Sequence, residues 1–177
     1  KKLSAMIASV MPIILSDAPA ISTLADEIWR HHYANIISPE QIEYMLAQRY
    51  QPELIQEQVF NPDIWWRKLV VDEKMVGFSC CMRTSNPDVL KIDKLYIHFD
   101  HHRKGYGGLL VADTIKLLRE NSLHRLILTV NKHNQTAILA YRHYGFEIVA
   151  DSVVDIGGGY FMNDYLMAMT KLDRWNV

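Results

Sequence analysis

The chain of 177 residues has only two cysteines, no excess of charge of either sign and no long uninterrupted apolar run. Cys80 and Cys81 are neighbours, so in a strand their side chains point to opposite faces. That excludes a disulfide framework and a zinc spacing alike, and a reduced, cytoplasmic setting is expected. With 19 basic against 20 acidic residues, a nucleic-acid-binding surface over the whole protein is not expected, and only a local basic patch remains open. No apolar stretch approaches the roughly 20 residues of a membrane span, so no membrane partner is expected. The opening "KKLSAMIASVMPIILSDAPA" has the outline of a secretory signal, but Ser4, Ser9 and Pro12 interrupt its apolar part. Residues 1–9 are instead expected to be flexible or left from cloning. The eight histidines form no H-E-x-x-H or comparable ligand spacing, so no metal is expected.

What is present alternates between strand and helix signals, without repeats or linkers. Residues 10–15, "VMPIIL", read as a first strand, and Asp17 as the cap of a helix reaching about Ala34. Ser38 caps a second helix, with Pro39 at its first position and Gln41 three residues on. Pro52 breaks it, and a short helix follows. Residues 64–71, 75–83 and 89–98 then read as an antiparallel meander. A helix over 107–121, a buried strand "RLILTV" at 125–130 and a helix over 134–144 come next, the last stopped by Gly145. Two strands, 146–154 and 160–171, close the chain. The order predicts one α/β layer domain over residues 1–177. Trp65 and Trp66 read as one inward and one outward side chain at an edge of the core.

Two stretches carry chemistry. "DHHRKGYGGLL" (100–110) joins a strand to a helix through Gly105 and Gly107, with Arg103 and Lys104 alongside. Glycines before a helix N-terminus let backbone N–H groups converge on a phosphate at the positive end of the helix dipole. The plain alternative is a tight turn with solvated cations, because the third glycine of a dinucleotide fingerprint and the GK[ST] of a P-loop are both missing. The second stretch, "NKHNQTAILAYRHYGFEIV" (131–149), sets Asn134, Ala137, Tyr141, Gly145 and Phe146 in the order N-x-x-A-x-x-x-Y-x-x-x-G-F. Asn134, Ala137 or Ile138, and Tyr141 then share one helix face. Alone, that pattern also fits a capped helix with a packed tyrosine.

Taken together with the strand "KIDKLYIHFD", these stretches resemble the GNAT family of acetyl-CoA-dependent N-acetyltransferases, in order and separation, over residues 64–170. The resemblance implies a mostly antiparallel central sheet, splayed at the cofactor site, with helices on both faces. It implies that acetyl-CoA is held by backbone groups of His102, Arg103, Lys104, Gly105, Tyr106, Gly107 and Gly108. It further implies that the strand at Leu95, Tyr96 and Ile97 pairs with the pantetheine arm and binds the acetyl carbonyl, and that Asn134 contacts that arm. Tyr141 matches the general acid that protonates the leaving thiolate.

The chain departs from the family's pattern at three positions. His102 stands where Arg or Gln is usual, Arg103 where the following Gly is usual, and Lys91 where some members carry a Glu as base. Asp93, two residues on and on the same strand face if pairing is regular, is the substitute expected for that base, with a water chain or His32 as alternatives. "EIWRHHYANIISPEQIEYMLAQRY" and "GGGYFMNDYLMAMT" resemble the first helices and last strands of bacterial spermine/spermidine acetyltransferases. A small-molecule amine, with a multiply charged polyamine as the candidate, is therefore the expected acceptor, with His32, Tyr33 and Glu40 on its side of the site and Asp26 and Glu43 as further carboxylates. The alternatives are a peptide amine as acceptor, or a sensor that binds acetyl-CoA without turnover. A monomer or a homodimer is expected.

Overall fold

The structure, a computed structural model, describes residues 7–177. Seven strands form one sheet in the order β1-β2-β3-β4-β5-β7-β6. They are β1 (Ala8–Pro12), β2 (Ile64–Val71), β3 (Lys74–Arg83), β4 (Val89–Ile97), β5 (Arg125–Asn131), β6 (Phe146–Gly157) and β7 (Tyr160–Met169). Among the described residues only the β4–β5 pairing is parallel. Residues 1–6 of the expected flexible leader lie outside the described residues. Ala8 and Ser9 are ordered in β1, where they pair with Val71 and Val70.

Helices α1 (Ala18–His32), α2 (Pro39–Arg49) and α3 (Pro52–Val59) pack on one face of the sheet, and α4 (Tyr106–Glu120) and α5 (Gln135–Tyr144) on the other. Local chemistry sets their ends. Ser38 Oγ accepts from the Gln41 backbone N–H at 3.1 Å, the cap its position implies. Asp17 does not cap α1 through its side chain. Its carboxylate is drawn away by the Ile14 N–H at 2.8 Å and Lys68 Nζ at 2.9 Å. Asn134 caps α5, and Gly145 ends it with φ +107°, a left-handed geometry that glycine takes without cost.

Cys80 and Cys81 do face opposite ways. Cys80 joins the core under α1–α3 with Trp29, Tyr50, Trp66 and Phe78, and Cys81 joins the core under α4 with Leu90, Ile115 and Leu126. Burial pushes both thiols up, Cys81 to about 12, so neither supplies a thiolate near neutral pH. Trp66 lies in the first core, while Trp65 packs on the other face with the Arg83 guanidinium over its ring.

One irregularity of the sheet matters for chemistry. Cys80 pairs with Lys94 but Cys81 pairs with Ile92, so Asp93 is the extra residue of a β-bulge. Regular alternation would have put Asp93 on the face of Lys91. Asp93 still reaches Arg49 of α2 on that side, and the bulge brings the next residue, Lys94, to the same face beside it.

Candidate active site

β4 and β5 stay paired from Val89↔Arg125 to Ile92↔Leu128 and then part. Beyond that point β5 remains bonded to β7, and β4 remains bonded to β3 through Leu95, Tyr96 and Ile97. The edge of β4 facing the gap therefore carries backbone N–H and C=O groups with no strand partner. A cavity of about 730 Å³ opens there, bounded by β4, the start of α4, α5, the ends of α1 and α2, and the inner face of β6–β7. Its size suits a small-molecule or cofactor site.

The basic turn lies at one end of this cavity. His102 Nε2–H donates to the Ile97 carbonyl at 2.8 Å, which ties the turn back to β4. Gly105, with φ +80°, is the N-cap of α4 and offers no side-chain cap. The first N–H groups of α4 are thus left to a ligand or water, at the positive end of the helix. A Cβ on Gly105 would meet nothing within 4 Å, so the left-handed backbone is what requires glycine there. Arg103, where the family pattern has glycine, is also left-handed, with φ 63°. The chain keeps the turn's shape at a cost of roughly 1–2 kcal/mol.

Gly107 has a different reason. A Cβ there would stand 2.6 Å from the Tyr144 hydroxyl. Tyr144 lines the cavity beside the helix start, and the sequence reading missed it. Its signal was available, since it sits three residues after Tyr141 and so on the same helix face.

Tyr141 is half-buried and lines the cavity, its ring edge-on to Phe146 at 5.6 Å. Burial pushes its phenol well above the ordinary value, so it holds its proton and can only donate it near neutral pH. Asn134 Oδ1 accepts from the Ala137 backbone N–H at 3.3 Å and lies 3.1 Å from His32 Nε2. Because that amide oxygen only accepts, Nε2 carries the proton. Burial lowers the His32 pKa, with the Asn134 hydrogen bond opposing it, which keeps the ring neutral at pH 7. The Tyr33 and Tyr96 hydroxyls share a hydrogen bond of 2.9 Å, and burial pushes both phenols up.

Asp93 does not stand free as a base. Its carboxylate contacts the Lys94 ammonium and lies 3.3 Å from Arg49. Burial would raise its pKa, but those two cations outweigh it and hold the carboxyl at about 2. Lys94 is itself fixed between the Tyr50 and Trp66 rings. A carboxylate so held takes a proton from an amine poorly, which weighs against the expected role of Asp93 as base. Glu40 is corrected: it is exposed in the first turn of α2, which meets the cavity through Gln41, Met45 and Arg49 instead. Asp26 and Glu43 pair with Arg30 away from the cavity. Lys104 and Gly108 adjoin the turn without lining the cavity, and the other expected site residues line it. Asp164 of β7, which the sequence reading did not single out, lines it as well.

Comparison with known proteins gives a consistent outcome. The model of the acetyltransferase (GNAT) family matches residues 23–146. The chain is 23% identical over 143 residues to a spermidine N(1)-acetyltransferase of Thermoplasma acidophilum, a match that covers 78% of this chain and 88% of that protein. The crystal structure of the PaiA N-acetyltransferase of the same organism, in complex with coenzyme A, superposes with a TM-score of 0.80 at 21% identity, covering 93% of this chain and 99% of that one. The ribosomal-protein-S18-alanine N-acetyltransferase of Escherichia coli superposes with a TM-score of 0.67 at 16% identity, covering 92% and 93%.

Proposed function

Because this chain belongs to the acetyltransferase (GNAT) family, we propose that it transfers acetyl from acetyl-CoA to a primary amine of a small molecule, by direct attack in a ternary complex. The observation that carries this is the parting of β4 from β5 after Ile92↔Leu128, with Tyr141 and the uncapped start of α4 on one cavity. The N–H groups of Tyr106, Gly107 and Gly108, with Arg103 and Lys104 near, would hold the pyrophosphate. The free edge of β4 at residues 95–97 would pair with the pantetheine arm. Its oriented N–H groups would stabilise charge developing on the acetyl oxygen, worth about 3–4 kcal/mol per donor. Tyr141 keeps its proton until the thiolate departs and then donates it.

The acceptor side favours a small amine over a peptide. Tyr44 Oη donates to the Ile156 carbonyl at 2.9 Å, Gln48 to the same carbonyl at 3.1 Å and Gln41 to the Phe161 carbonyl at 3.3 Å. These bonds fasten α2 to the β6–β7 hairpin and wall that side of the cavity. Spermidine is the first acceptor to try, since the 23%-identical relative is named for it. The test compares kcat/KM for spermidine, an aliphatic monoamine and a lysine-containing peptide. Higher values for the small amines are expected, and equal or better values for the peptide would overturn the acceptor assignment.

A further inference from the structure

Resting on the acetyltransferase assignment, we propose that Asp164 receives the ammonium of the acceptor and takes its proton. Asp164 pairs with Asn131 of β5 and Ser152 of β6. Asn131 lies three residues beyond Leu128, the last residue of β5 paired with β4. Asp164 therefore stands on the far lip of the gap, across from the free edge of β4. Thr129, Ser152, Val154 and Met162 lie on its side of the sheet and line the same cavity.

The carboxylate is 3% exposed, and its Oδ1 is buried without a hydrogen-bond partner. A buried carboxylate left in that state is costly unless a cation meets it. Among the described residues it makes no ion pair. Arg49 is committed to Asp93, and Lys132 to Asp151 at 3.4 Å. The titratable and charged groups facing it are Lys91 from β4, Arg49 from α2, Tyr33 just after α1 and Lys132 after β5. Burial raises its pKa, with Lys91 and Arg49 opposing in part, so Asp164 is a better proton acceptor than Asp93.

The neighbouring lining gives the ligand class. Val154, Ile156 and Met162 run beside Asp164, and Ile37 and Met45 face them. One ammonium at the carboxylate with methylenes along this apolar wall describes a primary aliphatic amine. In the step, one ammonium proton passes to the Asp164 carboxylate, and the freed lone pair forms the N–C bond to the acetyl carbonyl carbon. The C–S bond breaks with its electron pair on sulfur, which takes the Tyr141 proton. The surplus proton on the new amide nitrogen returns to Tyr141, and Asp164 releases its own to solvent. Acetyl-CoA and an ammonium thus become an acetamide, CoA and one proton.

The experiment measures kcat/KM for butylamine and for spermidine against pH, in the wild type, Asp164→Asn and Asp164→Ser, with melting and acetyl-CoA KM measured on each. If the wild type acetylates no amine, the parent assignment fails and Asp164 falls with it. If it does, both variants are expected to lose about 10²–10⁴-fold in kcat/KM at pH 7. Their remaining rate should climb with pH as free amine accumulates, and the acetyl-CoA KM should stay within twofold. Either folded variant keeping more than a third of wild-type kcat/KM, with an unchanged pH profile, would overturn the role. Should Asn fail to fold, the Ser variant decides by the same readings. Should both fail, the wild-type profile decides: an acidic limb in kcat/KM above the ordinary carboxylate range supports the role, and its absence overturns it.

Discussion

Tyr144 lies against Gly107 so closely that a Cβ on Gly107 would come within 2.6 Å of its hydroxyl, with the ring carbon that bears it next at 3.4 Å. The glycine at the start of α4 thus answers to a side chain of α5 and not only to a ligand. Gly107→Ala should cost about 1 kcal/mol of stability by displacing that ring. Tyr144→Phe should remove most of the penalty, because only the contact at 3.4 Å then remains. A double-mutant cycle on thermal or denaturant unfolding measures the coupling. Additive effects would show that Gly107 serves only the ligand.

Arg103 holds φ 63° in the turn before α4. Arg103→Gly should raise the stability of the ligand-free protein by about 1 kcal/mol, since glycine takes that backbone without a Cβ clash. CoA binding should weaken at the same time, because a cation near the uncapped helix start is lost, and more so at low salt. Thermal unfolding of the ligand-free protein checks the first sign, and calorimetric titration with CoA at two ionic strengths the second. A variant less stable than the parent would contradict the strain account.

Asp93 is expected to matter for folding more than for proton transfer. Its carboxyl is held at about 2 against an ordinary 3.8, so the pairing stabilises the fold fully above about pH 4. That contribution, about 2 kcal/mol, fades as pH falls towards 2. Asp93→Asn should cost more at pH 7, about 3–5 kcal/mol, because Lys94 and Arg49 are left without their counter-charge. Urea unfolding at pH 7 and pH 3 should show the gap between variant and parent narrowing in acid. A near-neutral effect at pH 7 would return Asp93 to the list of bases.

Sequence and structure agree where the signal is local. Ser38 and Asn134 declare their caps, Gly145 its left-handed stop, and adjacent cysteines their opposite faces. The turn at residues 100–108 and the spacing from Asn134 to Tyr141 were legible because each is fixed within one helix or its junction. The cations beside Asp93 were not legible, because a β-bulge is a property of two strands, and nothing in "KIDKLYI" announces the extra residue. Asp164 was passed over for a related reason. Its weight comes from β5, β6 and α2 meeting around one carboxylate, and a lone Asp in an alternating strand gives no hint of that. Glu40 looked suitable by charge, but its side of α2 faces away from the cavity.

Tyr141→Phe isolates a hydroxyl. The ring packs edge-on to Phe146 and should do so unchanged. Stability and the acetyl-CoA KM should therefore stay close to wild type. Turnover should fall by about 10²–10⁴-fold near neutral pH, where expulsion of an unprotonated thiolate is slow. Single-turnover kinetics with a saturating amine reads the chemical step directly. Retention of more than half the wild-type rate would leave Tyr141 as a packed aromatic.

An acetyltransferase, unlike a sensor, releases a thiol when an amine is there to take the acetyl group. Acetyl-CoA is mixed with the protein, with and without spermidine or butylamine, and free thiol and acetylated amine are counted together. Thiol release that depends on the amine and matches acetylated product one to one is the predicted result. Binding of CoA seen as a raised melting temperature, with no amine-dependent thiol from any acceptor tried, would contradict it and leave a sensor in place of an enzyme.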